Sequence, residues 1–257
     1  MDILSAAILG VVEGITEFLP ISSTGHLILA SRLLGLEQTE FLKSFEIAIQ
    51  LGAILSVIAL YGRRFLLNRA ILLRLAAAFV PTAVIGLVLY KLIKHFFLGN
   101  QYVVLWALFA GGILLILFEK WHKEESGAMD QLEKIPIGKA VAIGAFQSLA
   151  VIPGVSRAAA TIIGGLLLGL TRRTIVEFSF LLAMPTMLAA TVLDLLKSGG
   201  GFSGGQYGYL AVGFSTSFVV AIAGIKFLLA FIKNNNFVAF GVYRIVVSVF
   251  FYFWLLR

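Results

Sequence analysis

Phe18-Leu-Pro-Ile-Ser-Ser-Thr-Gly-His26 lies between two apolar runs, 3–12 and 27–36, and Ile152-Pro-Gly-Val-Ser-Arg157 lies between two others, 140–151 and 158–170. Each run has 10 to 13 residues, about 15–20 Å of helix, which is roughly half of the ~30 Å hydrocarbon core of a bilayer. Irregular backbone at membrane depth is tolerated only where protein buries it or it lines a wet cavity. Two short helices joined by a Pro-, Gly- and Ser-rich break meet that restriction as a re-entrant hairpin. The sequence therefore predicts two such hairpins.

Outward from these breaks, stretches free of Asp, Glu, Lys and Arg cover 47–62, 75–90, 95–118, 178–193, 198–225 and 245–256. Extended by a few flanking residues, they give six spanning helices. Composition agrees: of 257 residues, 60% are apolar and 13% charged, and the mean hydropathy is +1.01. An average soluble domain is about 45–50% apolar and about 25% charged. That balance excludes a soluble enzyme, a disordered chain and a nucleic-acid module. No Cys is present, which removes disulfides and thiolate metal sites. The first apolar run follows Asp2 rather than a basic segment and stops at Glu13 without a small-residue cleavage site. It is expected to belong to the mature protein rather than to a signal peptide.

The hairpins resemble each other. Sliding residues 6–36 by 134 positions gives 8 identities in 31, including Gly10/Gly144, Ser22/Ser156 and Gly35/Gly169. The expected architecture is an all-α integral membrane protein of six transmembrane helices plus two re-entrant helical hairpins in an inverted-topology repeat. It forms a single membrane domain, 1–257, with a first repeat 1–118, a cytoplasmic linker 119–139 and a second, inverted repeat 140–257. Three spans per half force the second copy to enter the membrane upside down, and broken segments in such proteins meet near the midplane. The net charge of +7 then reads as topology. With the loop 63–74 in the cytoplasm, 11 Lys and Arg fall on that side and 6 on the other, leaving Arg157, Lys226 and Arg244 at membrane depth. Both termini, the mouth of the first hairpin and the Gly-rich connection 198–205 are expected outside the cytoplasm.

Glu13 and Glu17 share a helix face inside an apolar segment, where ionisable residues are costly and functional by default. Two such carboxylates coexist by holding a divalent cation between them or by sharing a proton. Ser22, Ser23 and Thr24 bring three hydroxyls to the start of a half-helix, one turn before His26. A lone Ser or Thr there is an N-cap; three in a row also suit an anion at the helix N-terminus. In the second break, Gly154 permits close backbone approach, Ser156 matches Ser22, and Arg157 takes the place of Ser23. Arg suits bidentate phosphate contact, or a structural pairing with Glu13 or Glu17. Gln147 stands where the first hairpin has Glu13. Together these groups suit a phosphate or diphosphate ester on an apolar tail. Glu46 and Gln50 are read as lining the mouth, Glu177 as pairing with Arg172 and Arg173, Arg244 and Lys226 as neutralising each other or buried carbonyls, and His95 and His122 as interfacial.

Glu13-Gly-Ile-Thr-Glu17-Phe-Leu-Pro-Ile-Ser-Ser-Thr-Gly-His26 and Pro153-Gly-Val-Ser-Arg157-Ala-Ala-Ala-Thr161 closely resemble the two signature segments of the bacterial undecaprenyl-diphosphate phosphatases of the BacA/UppP family. Phe45-Glu-Ile-Ala-Ile-Gln50-Leu-Gly and Glu177-Phe-Ser-Phe-Leu-Leu extend the resemblance along the chain; Ala158 departs from it, where the family usually has a second Ser. The resemblance implies hydrolysis of undecaprenyl diphosphate to undecaprenyl phosphate and inorganic phosphate. That reaction recycles the lipid carrier for peptidoglycan synthesis and confers bacitracin resistance. It further implies dependence on Mg²⁺ or Ca²⁺, a bacterial inner-membrane location and a site open to the periplasmic side. By position, Glu17, His26, Ser23 and Arg157 would be catalytic, Ser22, Ser23, Thr24, Gly154, Ser156 and Arg157 would bind phosphate, and Glu13 with Glu17 would hold the metal. The nucleophile stays open between Ser23, His26 and water. The competing class is a secondary transporter or flippase of a polyprenyl phosphate, built on the same inverted repeat. The expected partners are a polyprenyl diphosphate and the membrane, no nucleic acid, and, as an open option, a second copy of the chain in a homodimer.

Overall fold

The computed structural model describes residues 1–65, 67–96, 101–198 and 205–255, with side chains described in 1–62, 67–89, 101–192 and 205–254. The connection expected at 198–205 falls largely outside the described residues. Ten α-helices and two short 3-10 turns are present among them, with a single isolated bridge between Met129 and Leu170.

The first hairpin is α1 (Ile3–Thr16) and α2 (Ser23–Leu33); the second is α6 (Ile137–Gln147), a 3-10 turn (Ser148–Val151) and α7 (Arg157–Leu167). Asp2 caps α1, its carboxylate accepting from the Ser5 N–H at 2.7 Å, and that bond holds the Asp2 carboxyl below its usual range. The starts of α6 and α7 lie 134 residues after those of α1 and α2. The ends also match. Gly35 (φ +66°) and Gly169 (φ +80°) each follow the last turn in the left-handed region. Paired bonds close both ends: Gly35 N–H to Arg32 O and Leu36 N–H to Ser31 O, then Gly169 N–H to Leu166 O and Leu170 N–H to Gly165 O, all at 3.0 Å. Glycine is needed at both because a Cβ there is strained. Gly169→Ala is expected to cost about 1–2 kcal/mol of stability in reversible unfolding from detergent, whereas Gly138→Ala, with open space around it and no positive φ, is expected to cost nothing.

Five helices are long and apolar enough to cross a membrane: α3 (Glu40–Phe65), α4 (Arg69–Phe96), α5 (Gln101–Trp121), α8 (Arg172–Ser198) and α9 (Gln206–Phe231). The sixth expected span falls on α10 (Val238–Leu255), which at 18 residues reaches about 27 Å and is shorter than the other five. Helix α5 runs to Trp121 and α6 begins at Ile137, so most of 119–139 lies between these two helices. Glu119 is drawn into the end of α5 by Arg172, whose guanidinium pairs with both carboxylate oxygens, and by the Phe237 N–H at 3.2 Å. One buried carboxylate thus ties α5, α8 and the start of α10.

Small residues set the packing. A Cβ on Gly10 would lie 2.5 Å from the Gly213 carbonyl oxygen, and one on Gly14 would lie 2.8 Å from that of Ser217, so α1 sits directly on the backbone of α9. At the matching position in the second hairpin, a Cβ on Gly144 would run into the Ala78 carbonyl, seating α6 on α4. Close backbone approach through small residues is how helices associate where lipid is as apolar as the side chains. The span that holds each hairpin therefore comes from the other half of the chain, which brings the two breaks together. Phe18, just before the first break, meets Phe180 of α8 edge-on at 5.2 Å.

Candidate active site

The first break turns sharply at Ser22, whose φ of +72° is in the left-handed region although it is not glycine. Such backbone persists only where its surroundings over-determine it, and it clusters at functional sites. The Ser22 side chain makes no cap bond. Its carbonyl instead accepts twice from His26, from the backbone N–H at 3.2 Å and from ring Nδ1 at 2.8 Å. Because a carbonyl can only accept, the His26 proton sits on Nδ1. Nε2 faces the Tyr243 hydroxyl at 2.9 Å.

One residue further on, Ser23 Oγ donates to Glu17 Oε2 at 2.5 Å. The other carboxylate oxygen, Glu17 Oε1, accepts from an Arg157 terminal nitrogen at 2.9 Å. That nitrogen also reaches the Glu17 carbonyl at 3.3 Å. The second terminal nitrogen donates to the Ser179 carbonyl at 2.9 Å, and Ser179 Oγ is bonded to Thr161 Oγ1 at 2.6 Å. Arg157 opens α7, so it joins the second break to the first and both to α8. The pair is nearly dry, with side chains 3% (Glu17) and 11% (Arg157) exposed, yet Arg157 Nε is buried with no partner among the described residues. Glu13, one turn before Glu17, is 0% exposed, and both of its carboxylate oxygens likewise lack a partner.

These unpartnered oxygens fit a divalent cation. Among the described residues no group of three or more His, Asp or Glu side chains gathers to enclose one. The set fits an ion of the Mg²⁺ or Ca²⁺ type, which accepts one or two carboxylates and completes its shell with water and substrate phosphate oxygens. At the position matching Glu13, Gln147 donates to Thr82 Oγ1 at 2.8 Å and Thr186 Oγ1 at 3.0 Å. The second hairpin thus carries a neutral, hydroxyl-bonded amide in place of the acid.

The other expected residues take various places. Ser156 caps α7, its Oγ accepting from Ala159 N–H at 3.1 Å, and Thr24 is exposed. Gly154 (φ +92°) makes its close approach to α5, where a Cβ would lie 2.7 Å from the Val104 carbonyl oxygen. Glu46 accepts from Ser31 Oγ at 2.8 Å, with Gln50 half-buried one turn on. Glu177 pairs with Arg173 at 3.1 Å, whereas Arg172 goes to Glu119 and Glu124. His122 stacks on Phe118 at 4.9 Å; the His95 side chain lies outside the described residues.

Arg244 and Lys226 do not neutralise each other: Lys226 is exposed, and Arg244, 1% exposed, binds carbonyls among the described residues. Its guanidinium reaches Pro20 O at 3.3 Å, Gly154 O at 3.1 Å, Ala107 O at 3.0 Å and Leu108 O at 3.3 Å. One side chain of α10 therefore fastens both breaks to α5. No local sequence pattern marks Ser179 or Tyr243. Hydroxyls are ordinary in apolar helices, and neither residue carries a charge that would mark it.

A family model described as bacitracin resistance protein BacA matches residues 6–250. An undecaprenyl-diphosphatase of Sulfurihydrogenibium sp. (strain YO3AOP1) is 52% identical over 254 residues, 99% of this chain and 100% of its own. One of Aquifex aeolicus (strain VF5) is 52% identical over 244 residues, 95% of each chain. One of Thermus thermophilus is 48% identical over 255 residues, 98% of this chain and 97% of its own.

Proposed function

The chain belongs to the bacitracin resistance protein BacA family, and on that premise we infer that it is an undecaprenyl-diphosphatase of the membrane. It hydrolyses undecaprenyl diphosphate to undecaprenyl phosphate and inorganic phosphate, recycling the lipid carrier for peptidoglycan synthesis and conferring bacitracin resistance. The observation that carries the chemical reading is the line Ser23 Oγ, Glu17, Arg157: a hydroxyl at a helix start, bonded at 2.5 Å to a carboxylate that a guanidinium holds at 2.9 Å.

In this reading Ser23 is the nucleophile, because its proton acceptor is already in place. Ser23 Oγ attacks the terminal phosphorus and passes its proton to Glu17. The bond from that phosphorus to the bridging oxygen breaks, and undecaprenyl phosphate leaves. Water then attacks the phosphoseryl phosphorus, giving up a proton to His26 Nε2 as the Tyr243 hydroxyl turns there from donor to acceptor; the bond to Ser23 Oγ breaks, Oγ takes back the proton held by Glu17, and inorganic phosphate departs. Phosphoryl transfer is catalysed mainly by positioning and charge stabilisation. The unpartnered Arg157 Nε–H and the N–H groups opening α2 and α7 supply donors for the terminal phosphate. Glu13 with Glu17 would hold a Mg²⁺ or Ca²⁺ ion, which when bound supplies positive charge against the diphosphate. Glu13→Gln is therefore expected to raise, by about tenfold, the cation concentration needed for half-maximal phosphate release after chelation, measured by titrating the metal back.

Around this site we place six spans and two re-entrant hairpins in an inverted repeat of 1–118 and 140–257. The matching helix starts, the paired glycine ends and the exchange of packing partners between halves support that arrangement. The excess of Lys and Arg on one side supports an inner-membrane orientation with the site open to the periplasm. A single turnover with terminally labelled lipid diphosphate, quenched in acid, tests the chemistry. Transient label on Ser23 followed by labelled phosphate is the expected result. Labelled phosphate with no labelled protein would put water in the place of Ser23.

A further inference from the structure

We propose that Tyr243 is a positioning residue of this reaction, its hydroxyl holding His26 Nε2, and with it the imidazole ring, in place. The proposal rests on the phosphatase reading above. Two contacts on opposite edges of the imidazole define its state. Nδ1 lies 2.8 Å from the Ser22 carbonyl and Nε2 2.9 Å from Tyr243 Oη. The carbonyl accepts only, so in neutral His26 the Nε2 lone pair takes the tyrosine proton. The two rings are also near-parallel, 7° between planes and 5.5 Å between centroids.

Tyr243 is itself held in register by its neighbour. Arg244 spends four hydrogen bonds on carbonyls of both breaks and α5, which fixes the height and rotation of α10 at that turn. Tyr243 is 42% exposed, and its hydroxyl turns inward to His26. A hydroxyl carries one donor and two acceptor sites; it can donate to neutral His26 and accept from the imidazolium formed when water is activated. It therefore keeps the ring in place through both halves of the cycle, as outer partners of functional histidines do at metal sites.

The test is Tyr243→Phe, which keeps the ring and removes the hydroxyl, in the purified full-length protein. Phosphate release is expected to fall about tenfold in kcat with KM unchanged, and phosphoryl-Ser23 to accumulate in the quenched turnover. In the resting protein, the ¹⁵N resonance of His26 Nε2, assigned by loss of the signal in His26→Gln, is expected to shift as its hydrogen bond from Tyr243 is lost, while the proton stays on Nδ1. A merely structural tyrosine would lower the folded yield and leave both kcat per folded molecule and the Nε2 resonance unchanged. Either an unchanged kcat or an unchanged Nε2 resonance overturns the proposal. The spectra need no turnover. A wild-type protein that releases no phosphate would thus defeat the phosphatase reading, while the Nε2 resonance still decides whether Tyr243 holds His26.

Discussion

Arg157→Ala lowers phosphate release by two or more orders of magnitude, with most of the loss in kcat. The guanidinium has two tasks. It orients Glu17 at 2.9 Å, and its Nε–H, without a partner among the described residues, is the donor left for a phosphate oxygen whose charge grows in the transition state. Removing one preorganised donor of that kind costs about 10²–10³ in kcat. Truncation also leaves the Glu17 carboxylate, 3% exposed, without its cation. Arg157→Lys is expected to recover little. An ammonium is a point charge and cannot span Glu17 on one side and the Ser179 carbonyl, 2.9 Å from the other terminal nitrogen, while keeping a donor for substrate. Steady-state phosphate release by the two purified variants, normalised to folded protein, checks both statements.

Glu17→Gln and Ser23→Ala are each expected to lower phosphate release about 10²–10⁴-fold, the range for removing a general base or the group it activates. The amide cannot take the Ser23 proton, and it presents Arg157 with a neutral oxygen. Since base and nucleophile act as one unit, the double variant should be no slower than the worse single. Additive losses would mean that the 2.5 Å contact joins two groups with separate tasks. Ser23→Ala should also abolish the labelled seryl intermediate while leaving the folded protein intact, because among the described residues Ser23 Oγ bonds to Glu17 alone.

Much of the helical order is legible in the sequence, and the departures have physical causes. The apolar run that suggests the first half-helix ends at 12, yet α1 continues to Thr16, because Glu13 and Gly14 are helical residues that hydropathy counts as breaks. In the same way α2 opens at Ser23, four residues before its apolar run, since its first turn is made of polar and small residues. Arg244 divides the last apolar stretch in sequence but not in space, because four carbonyls satisfy it inside α10.

At the site, the acid pair, the hydroxyls and Arg157 stand out because charge and Ser-Gly breaks are costly at membrane depth. Which acid pairs with Arg157 is not legible, since Glu13 and Glu17 share a face and differ by one turn. The structure pairs Glu17 with Arg157 and, among the described residues, leaves Glu13 without a partner. Gly154 reads equally as room for a ligand or for a helix, and a Cβ there would run into α5. Tyr243 and Ser179 join through contacts separated by 217 and 22 residues, which no local pattern encodes.

The most direct test of the central claim is phosphate release from undecaprenyl diphosphate by the purified protein in detergent, where no second leaflet exists. The account predicts multiple turnovers, one inorganic phosphate for each undecaprenyl phosphate formed, and near-complete loss in Arg157→Ala. Absence of release alongside movement of lipid phosphate in vesicles would make the protein a carrier and contradict it.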